Sequence, residues 1–324
     1  MSNKKNSISR RNFIKKTSTS IAAISALPFL ETCETPKNPP MKTHRILGKT
    51  GIKASLLGFG GGSQFMKNGE EEWQPLLERA IESGVNIFDT CWDYGGGESE
   101  IRYGKVLNKY RDKIHIMTKI DERGAEGARK QFEGSLERLQ MDYVDILLMH
   151  QINKTDDYSV IENGVYKEML KLKEEGLVKH IGFSTMKESD HPLATNILEN
   201  LDIDVVFGII NPVKRFGNTK PLLPLIKEKN IGFIAMKTVR GIVSGETTAK
   251  ELIPYALDTE SVASAIIGHH GVDKLEENIG IINEYEASKD KKQDYSNLEK
   301  RMNEYYANHT PVWALDGYHD GMMV

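Results

Sequence analysis

The segment Asn86-Ile87-Phe88-Asp89-Thr90-Cys91-Trp92-Asp93-Tyr94-Gly95-Gly96-Gly97-Glu98-Ser99-Glu100 constrains the fold more than any other. An apolar strand ends in an aspartate, and a tyrosine follows five residues later on a glycine-rich loop. Two further apolar runs end in the same manner, Met117-Thr118-Lys119 and Leu147-Leu148-Met149-His150. Asp, Tyr, Lys and His therefore leave the carboxyl ends of three strands separated by helical periodicity. A closed parallel barrel gathers such positions into one mouth, where they act on one substrate.

From Met41 onward, short apolar runs alternate with helical periodicity. Strands are predicted at Leu56–Gly60, Val85–Asp89, Ile114–Lys119, Val144–His150, His180–Ser184, Val205–Ile210, Gly232–Met236 and Ser264–Ile267. Helices are predicted to begin near Glu71, Glu98, Gly127, Tyr166, Pro192, Lys220, Lys250 and Asp273. Eight such units over residues 41–285 match the usual size of a (β/α)8 barrel, about 250 residues. The runs Val-Asp-Ile-Leu-Leu-Met and Gly-Phe-Ile-Ala-Met are nearly apolar throughout, as strands covered on both faces should be. The competing architecture is a doubly wound sheet, which calls for a G-x-G-x-x-G loop after its first strand. Phe59-Gly60-Gly61-Gly62 lacks that spacing. Thr43 to Ser55, with Leu47-Gly48-Lys49-Thr50-Gly51, reads as a β-hairpin placed to plug the amino-terminal end of the barrel. Residues 286–324 form a polar carboxyl-terminal extension ending in the aromatic, glycine-containing stretch Trp313 to Val324.

The start of the chain has another logic. Arg10-Arg11-Asn12-Phe13-Ile14-Lys15 precedes an apolar run, Ile21 to Leu30. That run is too short to span a bilayer, which takes about 20 residues, and reads as a signal peptide. The paired arginines resemble the twin-arginine export signal, which implies passage through that export machinery in the folded state. Residues 1–33 are assigned to this signal. Leu30-Glu31-Thr32-Cys33 faintly resembles a lipoprotein box, which would anchor the protein to a membrane through Cys33. Residues 34–40, with three prolines, read as a linker. The expected location is the periplasm or its membrane face, or the cytoplasm if the signal goes unused.

With 27% charged residues and a net charge of −3, the chain offers no reason to expect nucleic-acid binding. Its two cysteines, Cys33 and Cys91, form no CxxC or Cys/His cluster, which argues against zinc or an iron–sulfur cluster. His269-His270 is no metal motif either, since adjacent strand residues point apart. No metal site is expected.

The chemistry of the strand ends is specific. A proton donor is needed where negative charge develops on a carbonyl oxygen receiving hydride. Tyr94 can be that donor if a neighbouring ammonium favours its phenolate. Lys119 can supply the ammonium, Asp89 can hold it, and His150 can orient the oxygen. Lys119 within an apolar strand is otherwise costly. A glycoside hydrolase would need two opposed carboxylates, whereas Asp121 and Glu122 have no obvious mate in sequence.

These residues in this order resemble the aldo/keto reductase family. The resemblance covers about Thr43 to Ile282. It rests on Leu-Gly-Lys-Thr-Gly at 47–51, Phe-Asp-Thr with Tyr-Gly-x-Gly-x-Ser-Glu, Thr-Lys, Met-His, Ile-Gly-Phe-Ser at 181–184 and Glu-Glu-Asn at 276–278. It implies the same four roles for Asp89, Tyr94, Lys119 and His150. It also implies a nicotinamide dinucleotide across the barrel mouth and a small carbonyl or alcohol substrate. Ser184 matches the family's carboxamide contact, and Thr185 replaces its usual asparagine. Gly268 and His269 fall near the pyrophosphate and adenosine, and Glu277 and Asn278 match the adenine contacts. Lys274 occupies the position of a basic residue pairing with a 2′-phosphate, which favours NADP over NAD. Two positions depart from the family: Phe207 stands where glutamine is common, and Met236, followed by Lys237, where a stacking tyrosine is common. Arg240 and Lys237 add cations for a phosphate or an anionic substrate. Some family barrels serve as nicotinamide-sensing subunits with slow chemistry, which is the alternative reading.

Overall fold

The structure is a computed structural model that describes residues 38–244, 246–288, 293–315 and 318. The export signal and Cys33 lie outside the described residues, as does most of the expected linker. Asn38 to Pro40 are described and lie against the barrel. Asn38 Nδ2 donates to the Glu276 backbone carbonyl at 2.8 Å, Arg79 donates to the Asn38 carbonyl at 3.1 Å, and Asn283 donates to the Pro39 carbonyl. No helix among the described residues is long and apolar enough to cross a membrane.

Two short strands, β1 (His44–Ile46) and β2 (Lys53–Ser55), pair antiparallel as the expected hairpin. Eight strands then close a parallel barrel: β3 (Leu57–Gly60), β4 (Ile87–Asp89), β5 (His115–Ile120), β6 (Val144–Met149), β7 (Val178–Thr185), β8 (Val205–Ile209), β9 (Gly232–Met236) and β10 (Val262–Gly268). Each strand pairs with the next, and β10 pairs with β3 to close the ring. The predicted strands are all present, with ends displaced by a residue or two. The two-residue shifts are at strand starts: Ile87 rather than Val85, Val178 rather than His180, and Val262 rather than Ser264.

Helices of the outer ring include Trp73–Glu82, Glu98–Leu107, Ala125–Leu139, Lys167–Glu174, His191–Asn200, Leu223–Glu228, Ala249–Asp258 and Val272–Ser288. Their starts fall within three residues of those expected. The helix after β6 enters through a π-turn, Glu162–Tyr166, a wider coil that hydrophobic periodicity does not reveal. The strands carry the core: all six residues of Val144–Met149 are buried, including Asp145. Asp145 is tolerated there because Arg111 pairs with it at 2.6 Å, Lys179 at 3.0 Å, and the Ile116 N–H donates to it at 2.9 Å.

The hairpin turn seals the amino-terminal end. Leu47 is buried, and Gly48 sits against the start of β9. A β-carbon on Gly48 would lie 2.3 Å from the Gly232 backbone nitrogen, and its φ of +49° lies in the left-handed region that favours glycine. Arg45 fastens the hairpin by donating to the Leu257 and Val262 carbonyls at 2.6 and 2.8 Å. With that end closed, ligand access is left to the carboxyl end of the strands.

Candidate active site

The parallel register builds the site. β4 pairs with β5 so that Asp89 lies opposite Met117. Lys119 is two residues further along and faces the same side of the sheet. Its side chain is fully buried, and its ammonium donates to Asp89 Oδ1 at 2.5 Å, to the Thr90 carbonyl at 2.8 Å and to the Tyr94 hydroxyl at 3.2 Å. A buried ammonium is sustained only by such compensation. The loop that brings Tyr94 back over β4 runs through Gly95, Gly96 and Gly97, all at positive φ. Such a curl strains any residue with a β-carbon. The Lys119 ammonium also lies 4.7 Å from the Tyr94 ring centroid and 5.5 Å from that of Phe207.

His150, directly after β6, is buried and stands edge-on to Tyr94 at 6.4 Å between ring centroids. Its Nδ1 lies 2.9 Å from Asp121 Oδ1, an ion pair when the ring is protonated. Asp121 also accepts from Trp92 Nε1 at 2.9 Å. Arg123 donates to the His150 carbonyl at 2.8 Å and pairs with Asp156 at 3.1 Å. Burial pushes the Asp121 carboxyl up. The hydrogen bonds from His150 and Trp92 and the charge of Arg123 outweigh that and hold it below its ordinary value. Cys91 Sγ lies 3.5 Å from His150 Nδ1, and burial pushes its thiol up to about 12, so it stays protonated and unreactive. The four strand-end residues thus come together as the sequence arranges them.

A cavity of about 580 Å³ opens beside them at the carboxyl ends of the strands. Asp89, Tyr94, Phe207, Met236, Lys237, Gly268, Lys274, Glu277 and Asn278 all line it, and so does Arg240. Phe207 and Met236 give it apolar walls, and Lys237, Arg240 and Lys274 give it positive charge. Buried Arg240 Nη2 has no hydrogen-bond partner among the described residues. Lys274 pairs with Glu277 at 2.8 Å, one helical turn away and largely exposed.

Other expected cofactor residues are placed differently. The His269 side chain does not line the cavity: its ring packs 5.2 Å from that of Phe59, and burial pushes it down to about 3, leaving it neutral. His270, the next residue, lines the cavity instead, because successive residues at a strand end face opposite sides. Ser184 and Thr185 are buried at the end of β7, outside the cavity wall. The Gln151 N–H donates to Ser184 Oγ at 2.7 Å, and Thr185 Oγ1 has no partner among the described residues.

The tail reaches the site. Lys237 Nζ donates to the Tyr318 hydroxyl at 3.0 Å, and Arg240 lies 5.5 Å from the Tyr318 ring centroid. Trp313 packs beneath, donating to the Arg240 carbonyl at 3.0 Å. The remaining tail residues lie outside the described residues.

Sequence reasoning missed two features. Asp121 does have a mate, His150, brought from the neighbouring strand; its position two residues beyond Lys119, on the same face, was the available signal. The other is a group of metal-ligand types: Cys91, Asp93 and His150 each place one donor atom within 4.8 Å of the others. Here Nδ1 of the histidine is already engaged by Asp121 and the thiol is held protonated.

The profile of the aldo/keto reductase family matches residues 56–253, more than half of the chain. L-galactose dehydrogenase of Arabidopsis thaliana is 28% identical over 287 residues, spanning 75% of this chain and 89% of that protein. A solved structure from Pseudomonas aeruginosa, described as an aldo-keto reductase, superposes with a TM-score of 0.65 at 26% identity, covering 76% of this chain and 98% of that one. The holo form of aldo-keto reductase AKR11C1 from Bacillus halodurans gives a TM-score of 0.67 at 18% identity, covering 81% and 95%, a likeness of fold alone. The closed barrel, the strand-end residues and the profile agree: the chain belongs to the aldo/keto reductase family and is an oxidoreductase enzyme.

Proposed function

We propose that this oxidoreductase uses NADP(H) to interconvert a carbonyl and an alcohol, with Tyr94 as the proton donor and acceptor. The observation that carries the reading is the Lys119 ammonium, 3.2 Å from the Tyr94 hydroxyl in the wall of a cationic cavity. A nicotinamide dinucleotide fits the residues present. Phe207 and Met236 offer apolar cover for a flat ring, and Lys237 and Arg240, with its unpartnered Nη2, suit a pyrophosphate. Lys274 suits a 2′-phosphate, and Glu277 and Asn278 an adenine.

When bound, the reduced cofactor supplies a hydride to a carbonyl carbon. Tyr94 gives its proton to the oxygen as negative charge gathers there. The Lys119 ammonium stabilises the phenolate left behind, and Asp89 keeps that ammonium charged and aimed. His150 orients the oxygen. Proton donation of this kind contributes roughly 10²–10⁴-fold. The substrate class is an aldehyde, a ketone or a sugar. The name of the Arabidopsis relative, L-galactose dehydrogenase, supports keeping sugars in that class.

The test is titration of residues 38–324 with NADPH and NADH, following tryptophan fluorescence. Saturable quenching is expected with both and tighter binding with NADPH. Quenching by neither would remove the reading. Tight binding without turnover of any carbonyl would favour the sensory alternative.

We also propose that Arg10-Arg11 directs export of the folded protein with its cofactor aboard. Changing both to lysine is expected to keep the protein in the cytoplasm. Unchanged export of that variant would contradict the proposal.

A further inference from the structure

We propose that Asp121 is a positioning residue: it fixes the His150 proton on Nδ1 and makes the charged ring the form that assists carbonyl reduction. The inference rests on the reductase reading above and adds a control of direction by pH.

The tautomer follows from the contact. An ionised carboxylate only accepts hydrogen bonds. Asp121, held below its ordinary value by His150, Trp92 and Arg123, is ionised at neutral pH. With Nδ1 2.9 Å from Asp121 Oδ1, the proton between them belongs to Nδ1. Nε2 is then an acceptor on the neutral ring and a donor only on the doubly protonated one. A carbonyl oxygen needs a donor, whereas an alcohol hydroxyl can donate to an acceptor. The two charge states of one ring therefore serve opposite directions of the reaction.

The surrounding charges favour the charged state. From the loop after β5, Asp121 touches the ring, and from the loop after β4, an Asp93 oxygen lies within 4.8 Å of a ring nitrogen. The nearby cations are each already offset: Lys119 by Asp89 at 2.5 Å and Arg123 by Asp156 at 3.1 Å. The Cys91 thiol, 3.5 Å from Nδ1, is kept neutral by burial. The Tyr94 phenol stands edge-on to the ring. Among the described residues, two carboxylates thus face His150, and the nearby cations are each paired with another carboxylate.

Asp121→Asn tests this. The Asp121 side chain is 42% exposed, so the substitution leaves the core intact. In the wild type, kcat/KM for reduction of an aldehyde with NADPH is expected to fall as pH rises and His150 loses its second proton. In Asp121→Asn that fall is expected about one pH unit lower, with NADPH affinity unchanged and alcohol oxidation less affected. A ¹⁵N spectrum of histidine-labelled protein, with His150 assigned by His150→Gln, gives a readout free of turnover. It is expected to show Nδ1–H in the neutral wild-type ring and loss of the second proton at lower pH in Asp121→Asn. An unmoved pH limb or an unchanged His150 titration would overturn the inference, as would an Nε2–H tautomer in the wild type. If neither protein reduces any carbonyl, the reductase reading fails, and the ¹⁵N titration still decides the role of Asp121.

Discussion

Tyr94→Phe is expected to lower turnover by roughly 10²–10⁴-fold while leaving NADPH affinity unchanged. The substitution deletes one oxygen and keeps the ring, so the cavity wall retains its shape. Lys119 loses one hydrogen-bond acceptor, at 3.2 Å, and keeps Asp89 and the Thr90 carbonyl. A lost bond to a charged group costs about 1.5–3 kcal/mol of stability, too little to unfold a large domain. Single-turnover measurement with saturating cofactor and carbonyl separates the effects. A fall in the chemical step with unchanged binding identifies an interaction made in the transition state. Equal single-turnover rates in the two proteins would remove Tyr94 from the chemistry.

Lys119→Met should be more severe because it combines two losses. The ammonium that in the proposed mechanism stabilises the phenolate disappears, so turnover is expected to fall at least as far as in Tyr94→Phe. The buried Asp89 carboxylate also loses its partner at 2.5 Å. Removing one member of a buried ion pair costs about 3–5 kcal/mol, which denaturant unfolding would register. The two losses can be told apart with Asp89→Asn added to Lys119→Met. Taking away both charges should recover much of the stability and none of the activity. Recovery of activity in the double variant would show that the lysine serves only the fold.

The barrel and the four strand-end residues were legible because each rests on local pattern. Apolar runs of five to seven residues mark strands, and a charged residue closing such a run projects from the carboxyl end of the barrel. Lys119 was legible for an energetic reason, since a lysine in an apolar strand demands a partner. The misses lie where contact depends on register or distance along the chain. His269 and His270 are neighbours in sequence, yet which of them turns toward the cavity depends on where β10 ends, and strand ends shift by a residue. Asp121 and His150 are joined across the β5–β6 register, which brings Lys119 opposite Leu148; the spacing from Lys119 gives Asp121 its face, and only the register gives it its partner. Tyr318 meets Lys237 across 81 residues of chain. The departures at Phe207 and Met236 were visible as substitutions. That both line the cavity, giving it apolar walls beside three cations, needed the folded chain.

The central claim is direct hydride transfer to a carbonyl carbon, completed by a proton from Tyr94. Its most direct test uses NADPH carrying deuterium at the transferable position of nicotinamide C4, an electron-poor aromatic aldehyde and mass analysis of the alcohol formed. The account expects one deuterium on the carbinol carbon with the wild-type protein and almost no alcohol with Tyr94→Phe. Alcohol free of deuterium, or equal yields from the two proteins, would contradict it.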